Sequence, residues 1–304
     1  MEIQLFNNFH LNKLCDLITQ LPPHGHLDWS TDKSVTKTIL SNFTSNPSIS
    51  IRVLVDSNKI SGYYLIEEEK NINRIVVCIG ATNKNEHNIL LSDVLDNHKS
   101  DDDSGSVKIQ FPTLKSQTTV NDYFRRRGFG KVRTYLKMDL DISCPMNFPK
   151  HKTLTARKLK STAEPKVLTN IQNEIFLSHW GYSPNTQKDI TTMLQSFGNE
   201  PNLITLITNN EDDIVGYCWP TVYQEKETIT GKISMMGIRK RFRGKGYGKF
   251  AIETGLFILK SRGAQRVRLD VDSLNVKAVF LYKTVGFKTI NELYWWEAGS
   301  HSRE

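Results

Sequence analysis

Two short patterns recur along this 304-residue chain at nearly one offset, and they constrain its fold more than any other feature. An acidic turn leads into an apolar run at Asp56-Ser57-Asn58-Lys59-Ile60-Ser61-Gly62-Tyr63-Tyr64, and the same form returns at Asn210-Glu211-Asp212-Asp213-Ile214-Val215-Gly216-Tyr217-Cys218. The two Gly-Tyr pairs are 154 positions apart. Near the end of each half, Tyr123-Phe124-Arg125-Arg126-Arg127-Gly128-Phe129 parallels Leu281-Tyr282-Lys283-Thr284-Val285-Gly286-Phe287, offset by 158. Ordered matches at one spacing predict a duplicated domain. The stretch from Cys144 to Lys152 carries two prolines and no periodicity, so it reads as the linker. The expected domains are 1–146 and 152–304.

The second half reads as strands over Leu154–Leu159, Leu203–Thr208, Ile214–Tyr223, Lys232–Ile238 and Arg266–Val271. Helices are expected over Glu164–Phe176, Thr186–Phe197, Lys249–Lys260 and Asn275–Val285, and a last strand ends in Tyr294-Trp295-Trp296. Between the strand ending at Ile238 and its following helix lies Arg243-Gly244-Lys245-Gly246-Tyr247-Gly248. A glycine-rich turn at a helix start offers several backbone N–H groups to one anion, and the helix dipole adds partial positive charge there. Six of the eleven residues from Arg239 to Lys249 are Lys or Arg. Residues 1–150 carry 18 basic against 17 acidic side chains, and residues 151–304 carry 22 against 15. The basic excess therefore sits in the half with the turn, which favours a local anionic ligand over a general polyanion surface. The turn fails the G-x-G-x-x-G test for dinucleotides, and Gly248-Lys249-Phe250 lacks the Ser/Thr of a Walker loop.

Cys15, Cys78, Cys144 and Cys218 are scattered, without a zinc or disulfide spacing, so no metal is expected. No apolar run reaches the ~18 residues of a membrane helix, and the start has no basic and apolar leader. A cytoplasmic protein with no membrane partner is expected. No helix-turn-helix or interleaved aromatic pattern supports nucleic acid.

The order of meander, Arg243-x-x-Gly246-x-Gly248 turn, helix, strand, Asn275, Ala278, Leu281-Tyr282 and Gly286-Phe287 resembles the GNAT superfamily of N-acetyltransferases over about residues 154–296. The resemblance implies an α+β fold. Two tandem GNAT-like domains would each form a mixed, mostly antiparallel sheet flanked by helices. It implies acetyl-coenzyme A as donor and an amine on a small molecule or peptide as acceptor. By resemblance, Arg243, Gly244, Lys245, Gly246, Tyr247 and Gly248 cradle the pyrophosphate. Met236 and Ile238 offer strand backbone to the pantetheine arm, Asn275 contacts the coenzyme, and Tyr282 protonates the departing thiolate. On residue type alone, Tyr282 also fits a packed aromatic and Asn275 a helix cap.

Tyr223, Glu225, Glu227, Asp270 and Asp272 are candidate general bases. His179, in Phe176-Leu177-Ser178-His179-Trp180-Gly181-Tyr182, is a candidate lining residue of the acceptor site. A similar segment occurs in tandem GNAT proteins such as relatives of mycothiol synthase. The first half has no glycine signature near Ala81–Asn88 and has Phe124 opposite Tyr282, so it is expected to be degenerate. Residues from Asp96 to Ser106 read as a loop. A non-enzymatic acyl-coenzyme A-binding regulatory module is the alternative to an enzyme, and oligomeric state is left open.

Overall fold

In the computed structural model, the described residues are 1–27, 29, 32–44, 49–98, 107–160, 163–195, 200, 203–225 and 228–299. Glu227, residues 99–106 of the expected loop, and the expected helix end at 196–197 fall outside them. The chain forms two compact units, Met1–Tyr135 with Asn291–Glu304, and Leu136–Ile290. This differs from the expected division at 146/152, which follows chain order.

Unit 1 contains β1 (Glu2–Leu5), α1 (Leu11–Gln20), α2 (Lys33–Thr44), β2 (Ile49–Asp56), β3 (Lys59–Glu69), β4 (Arg74–Ala81), α3 (Lys84–Asn97), β5 (Lys108–Leu114) and α4 (Thr118–Arg126). The strand β6 (Gly130–Asp141) runs from unit 1 into unit 2. Unit 2 continues with β7 (Leu154–Lys158), α5 (Pro165–Phe176), α6 (Gln187–Gln195), β8 (Thr205–Asn209), β9 (Ile214–Glu225), β10 (Thr228–Ile238), α7 (Tyr247–Ser261), β11 (Arg266–Asp272) and α8 (Val276–Val285). The last strand, β12 (Lys288–Glu297), returns to unit 1 from Asn291 onward.

The strand order in unit 1 is β1-β2-β3-β4-β5-β12, and in unit 2 it is β6-β11-β10-β9-β8-β7. Pairing is antiparallel at β1/β2, β2/β3, β3/β4, β5/β12, β7/β8, β8/β9 and β9/β10. It is parallel at β4/β5 and β10/β11. The expected α+β architecture of two GNAT-like units with mixed, mostly antiparallel sheets is present.

Local chemistry explains the elements. Ser57 and Asn58 have φ of 47° and 70°, the doubly left-handed turn whose twist suits a hairpin. In α1, Leu14, Cys15, Leu17 and Ile18 are buried on one helical face. Pro165 opens α5, where a missing N–H costs nothing. The duplicated ends also share their caps. Phe129 N–H donates to Phe124 O at 3.1 Å, and Phe287 N–H donates to Tyr282 O at 3.0 Å. Trp296 of β12 is buried in the unit 1 core. Its ring lies 6.1 Å from Phe124, and its Nε1–H donates to Thr113 Oγ1 at 2.9 Å. Among the described residues, no helix is long and apolar enough to cross a membrane.

Candidate active site

In unit 2, β10 and β11 lie side by side for only three pairs, Thr230↔Arg266, Gly231↔Val267 and Lys232↔Arg268. Both strands continue past that point, β10 to Ile238 and β11 to Asp272. No ladder between them continues among the described residues, so the two strands part. A register shift opposite β9 between Ile233 and Met235 marks a bulge on β10, and bulges bend and twist a strand away from its neighbour. Arg239 N–H donates to Val215 O on β9. The alternation of an antiparallel strand then turns the N–H groups of Met236 and Ile238 to the opposite edge, toward the gap.

The glycine turn stands at the open end of this gap. Gly244 and Gly246 have φ of +83° and +79°, and a Cβ on either would meet nothing within 4 Å. Left-handed backbone favours glycine at both positions. Gly246 is the N-cap of α7, and no side chain caps that helix. Its first-turn N–H groups and its dipole, about half a positive charge, face the cleared surface. A Cβ on Gly248 would lie 3.1 Å from Leu281 Cδ2, so the turn abuts α8 beside Tyr282.

The cations around the turn are more committed than their crowding suggests. Arg239 pairs with Glu174 at 2.7 Å, Arg241 with Asp213 at 3.6 Å, and Lys249 with Glu253 at 3.8 Å. Lys245 Nζ lies 6.0 Å from the centre of the Phe242 ring. Arg243 Nε–H donates to Ile238 O at 2.8 Å, and its Nη2 donates to Ile175 O at 3.2 Å. Arg243 thus ties the tip of β10 to the end of α5, a role that sequence reasoning missed. Gly237 makes the same closeness visible, since a Cβ there would meet Ile175 Cγ2 at 2.4 Å. The turn therefore offers an anion backbone donors more than side-chain charge.

Tyr282 is buried in the core cluster that Ile233 shares and Met236 flanks. Burial, with a smaller contribution from Cys218, pushes its phenol well above the usual tyrosine range. It is protonated at any working pH. Asn275 caps α8, its Oδ1 accepting the Ala278 N–H at 3.3 Å. Asp270 is paired with Lys137 at 3.2 Å and Lys232 at 3.7 Å. Tyr223 accepts from Arg268 at 3.4 Å. Asp272 Oδ1 accepts the Leu274 N–H at 3.0 Å. Glu225 ends β9. Among the described residues, no group of three or more His, Cys, Asp or Glu side chains is placed to hold a metal.

Unit 1 repeats the gap and closes it. Its β4 and β5 pair only over Arg74↔Lys108, Ile75↔Ile109 and Val76↔Gln110. Beyond that point the segment after α1 enters. A Cβ on Gly25 would lie 2.5 Å from Cys78 Sγ on β4 and 3.9 Å from Pro112 O on β5. His24 is buried there. Its Nδ1 reaches Pro22 O at 2.9 Å and its Nε2 reaches the Tyr63 hydroxyl at 2.6 Å. A carbonyl only accepts, so Nδ1 carries the proton, and Nε2 of the neutral ring accepts from Tyr63. Burial, the largest influence on this ring, lowers its pKa. At the start of α3, Asn83 accepts the Glu86 N–H, and the Glu86 carboxylate accepts from the N–H and hydroxyl of Thr82. A carboxylate occupies the corner where unit 2 presents bare N–H groups.

Residues 167–287 match the acetyltransferase (GNAT) family. The chain has a tandem GNAT fold, and the family match covers that segment, less than half of the chain. Among relatives, a mycothiol acetyltransferase of Propionibacterium freudenreichii is 22% identical over 166 residues, 54% of this chain and 53% of its own. Another, from Thermobispora bispora, is 26% identical over 175 residues, 55% and 59% of the two chains. The chain spans about half the length of the curated relatives it matches. A tandem GNAT protein from the clavulanic acid biosynthesis pathway superposes with TM-score 0.73 at 11% identity, covering 98% of each chain. A GCN5-related N-acetyltransferase from Sphaerobacter thermophilus gives 0.70 at 16% identity, covering 97% of this chain and 94% of its own.

Proposed function

We propose that the chain transfers the acetyl group of acetyl-coenzyme A to a primary amine of a small molecule or peptide, by direct attack, at one site in unit 2. The parting of β10 from β11, opening onto an uncapped glycine turn, is the observation that carries this reading. Such a gap exposes strand edges to an amide-bearing arm, and the turn receives its diphosphate. Bound coenzyme supplies the activated thioester. Backbone N–H groups from Arg243 through Gly244, Lys245, Gly246 and Tyr247 to Gly248 hold the pyrophosphate. Met236 and Ile238 bond the pantetheine arm through their gap-facing backbone, and Asn275 touches the coenzyme from the start of α8. Tyr282 donates its proton to the departing sulfur.

Direct attack is favoured over an acyl-cysteine step. Burial lifts the Cys218 thiol to about 12, and no reactive thiolate forms there. The closed gap and acidic corner of unit 1 support a single coenzyme site per chain. All four cysteines are free, in keeping with a cytoplasmic setting. Because the relatives carry the name mycothiol acetyltransferase, the acceptor panel includes the amine precursor of such a thiol beside antibiotics and short peptides.

The test is release of free thiol from acetyl-coenzyme A across that panel, with calorimetry of coenzyme binding. Turnover with at least one amine and one coenzyme bound per chain are expected. Tight binding without turnover would instead mark an acyl-coenzyme A sensor, and two bound per chain would overturn the single-site assignment.

A further inference from the structure

An amine that attacks a thioester must shed a proton, and two of the candidate carboxylates, Asp270 and Asp272, already have partners. Asp270 is held by two lysines, and Asp272 caps the turn into α8. The segment after α5 offers a different group. Arg243 bridges Ile238 O, at the tip of β10, and Ile175 O, in the last turn of α5. One residue beyond Ile175, Phe176 O accepts the His179 N–H at 2.7 Å, and the two rings meet edge to face at 4.8 Å. Tyr182, farther along, donates to Asn173 Oδ1 at 2.6 Å and folds the segment back on α5. A half-buried imidazole is thereby held at the end of α5, which Arg243 ties to the tip of β10.

We propose that His179 accepts the proton of the incoming amine, an inference that rests on the acetyl-transfer reading above. The amine nitrogen bonds to the thioester carbon, and its surplus proton passes to a ring nitrogen of His179. The carbon–sulfur bond breaks, and the sulfur takes its proton from Tyr282. His179 then returns its proton through solvent, and Tyr282 is reprotonated from the same pool. The net products are an amide, a free thiol and, from an ammonium substrate, one proton.

Charged groups around the ring support the role. Arg243 in the glycine turn and Asp272 at the end of β11 are close enough to act on its charge, and Tyr182 is the other titratable side chain of its own segment. The Glu174–Arg239 pair stands between α5 and the tip of β10. Burial and Arg243 lower the imidazole from its ordinary value, against a smaller opposing pull from Asp272. A neutral ring near pH 7 is the form that can take a proton.

The test uses the full chain, its best amine acceptor and His179→Gln. Expected are a loss of about 10²-fold or more in kcat, an unchanged coenzyme Kd, and disappearance of the acid-side fall in kcat/KM that the wild-type ring, lowered from the ordinary histidine value, imposes. Added imidazole should restore part of the activity of His179→Ala, which a purely structural role would not allow. Full activity in His179→Gln would overturn the assignment, as would a loss that keeps the acid limb and resists imidazole. A wild type inactive on every amine removes the reaction and the role together; an active wild type with an unimpaired His179→Gln removes only the role.

Discussion

In the proposed transfer a buried phenol meets a leaving thiolate; the two are unequally matched, and the mismatch sets how much Tyr282 can contribute. A thiol titrates near 8.5 and an ordinary tyrosine near 10, and burial moves Tyr282 higher still. Full proton transfer to sulfur is therefore uphill, so the proton passes late and much of the benefit lies in a hydrogen bond that strengthens as charge develops. Tyr282→Phe should lower kcat by about 10²-fold, the modest end of such effects, with the melting temperature little changed. Unit 1 shows why folding should survive: Phe124 holds the matching position against Phe129 at 4.8 Å, as Tyr282 holds Phe287 at 5.9 Å. Unchanged kcat would remove Tyr282 from the chemistry. His87 carries a different residue-scale consequence. It sits against Tyr123 and Phe124, each 6.1 Å away, and burial, with help from His24, lowers its pKa to about 4. The unfolded chain, titrating near 6.5, binds more protons between those values. The stabilisation is thus complete above pH 6.5 and disappears as pH falls through 4, up to roughly 3 kcal/mol. His87→Leu should flatten the pH dependence of the urea midpoint across that window; an unchanged slope would exclude His87 as its source.

At the scale of elements, the left-handed glycine turn at the start of α7 was legible in sequence, and the loop that closes its counterpart in unit 1 was not. Gly244, Gly246 and Gly248 obey local rules: left-handed backbone, a helix start and fixed spacing. Gly25 obeys a tertiary one. Its need for a missing side chain comes from Cys78 on another strand, which no window around Pro22-Pro23-His24-Gly25 contains. The commitment of Arg243 to two carbonyls was hidden for the same reason, and a motif that names an arginine does not say where it points. Asn275 was legible as either cap or ligand, and the structure shows the cap. Gly25 allows a direct measurement. At φ +64° an alanine would be strained by about 1–2 kcal/mol, and its Cβ would crowd the Cys78 sulfur besides. Gly25→Ala should lower stability by roughly 2 kcal/mol or more in urea unfolding, and adding Cys78→Ala should return part of the loss by removing that sulfur. Additive effects of the two substitutions would mean that the gap in unit 1 is not closed by this contact.

For the whole molecule, the duplication could be read from the chain, but the ownership of its strands could not. Periodicity finds a strand ending in Tyr294-Trp295-Trp296 and a break from Cys144 to Lys152, yet a strand's neighbours are chosen by burial far along the chain. The result is an exchange. The final strand pairs Leu293↔Leu114 through Glu297↔Gln110 in unit 1, while Met138 and Ile142, encoded before the break, are buried in the core of unit 2. Cutting at the linker therefore removes core from both products. Residues 1–146 lack Trp296, whose loss alone should cost about 3–5 kcal/mol by analogy with other large core truncations. They also leave unpaired the edge of β5 that β12 covers, a template for aggregation. Residues 152–304 lack Met138 and Ile142. With native stabilities of only about 5–15 kcal/mol, neither fragment should melt cooperatively by circular dichroism. A chain joining 1–135 to 288–299 through a flexible linker should do so, because it restores unit 1 with its own strand. Cooperative melting of 1–146 by itself would show that β12 is dispensable to unit 1, and the exchange would then be an ornament of the fold and not a condition of it.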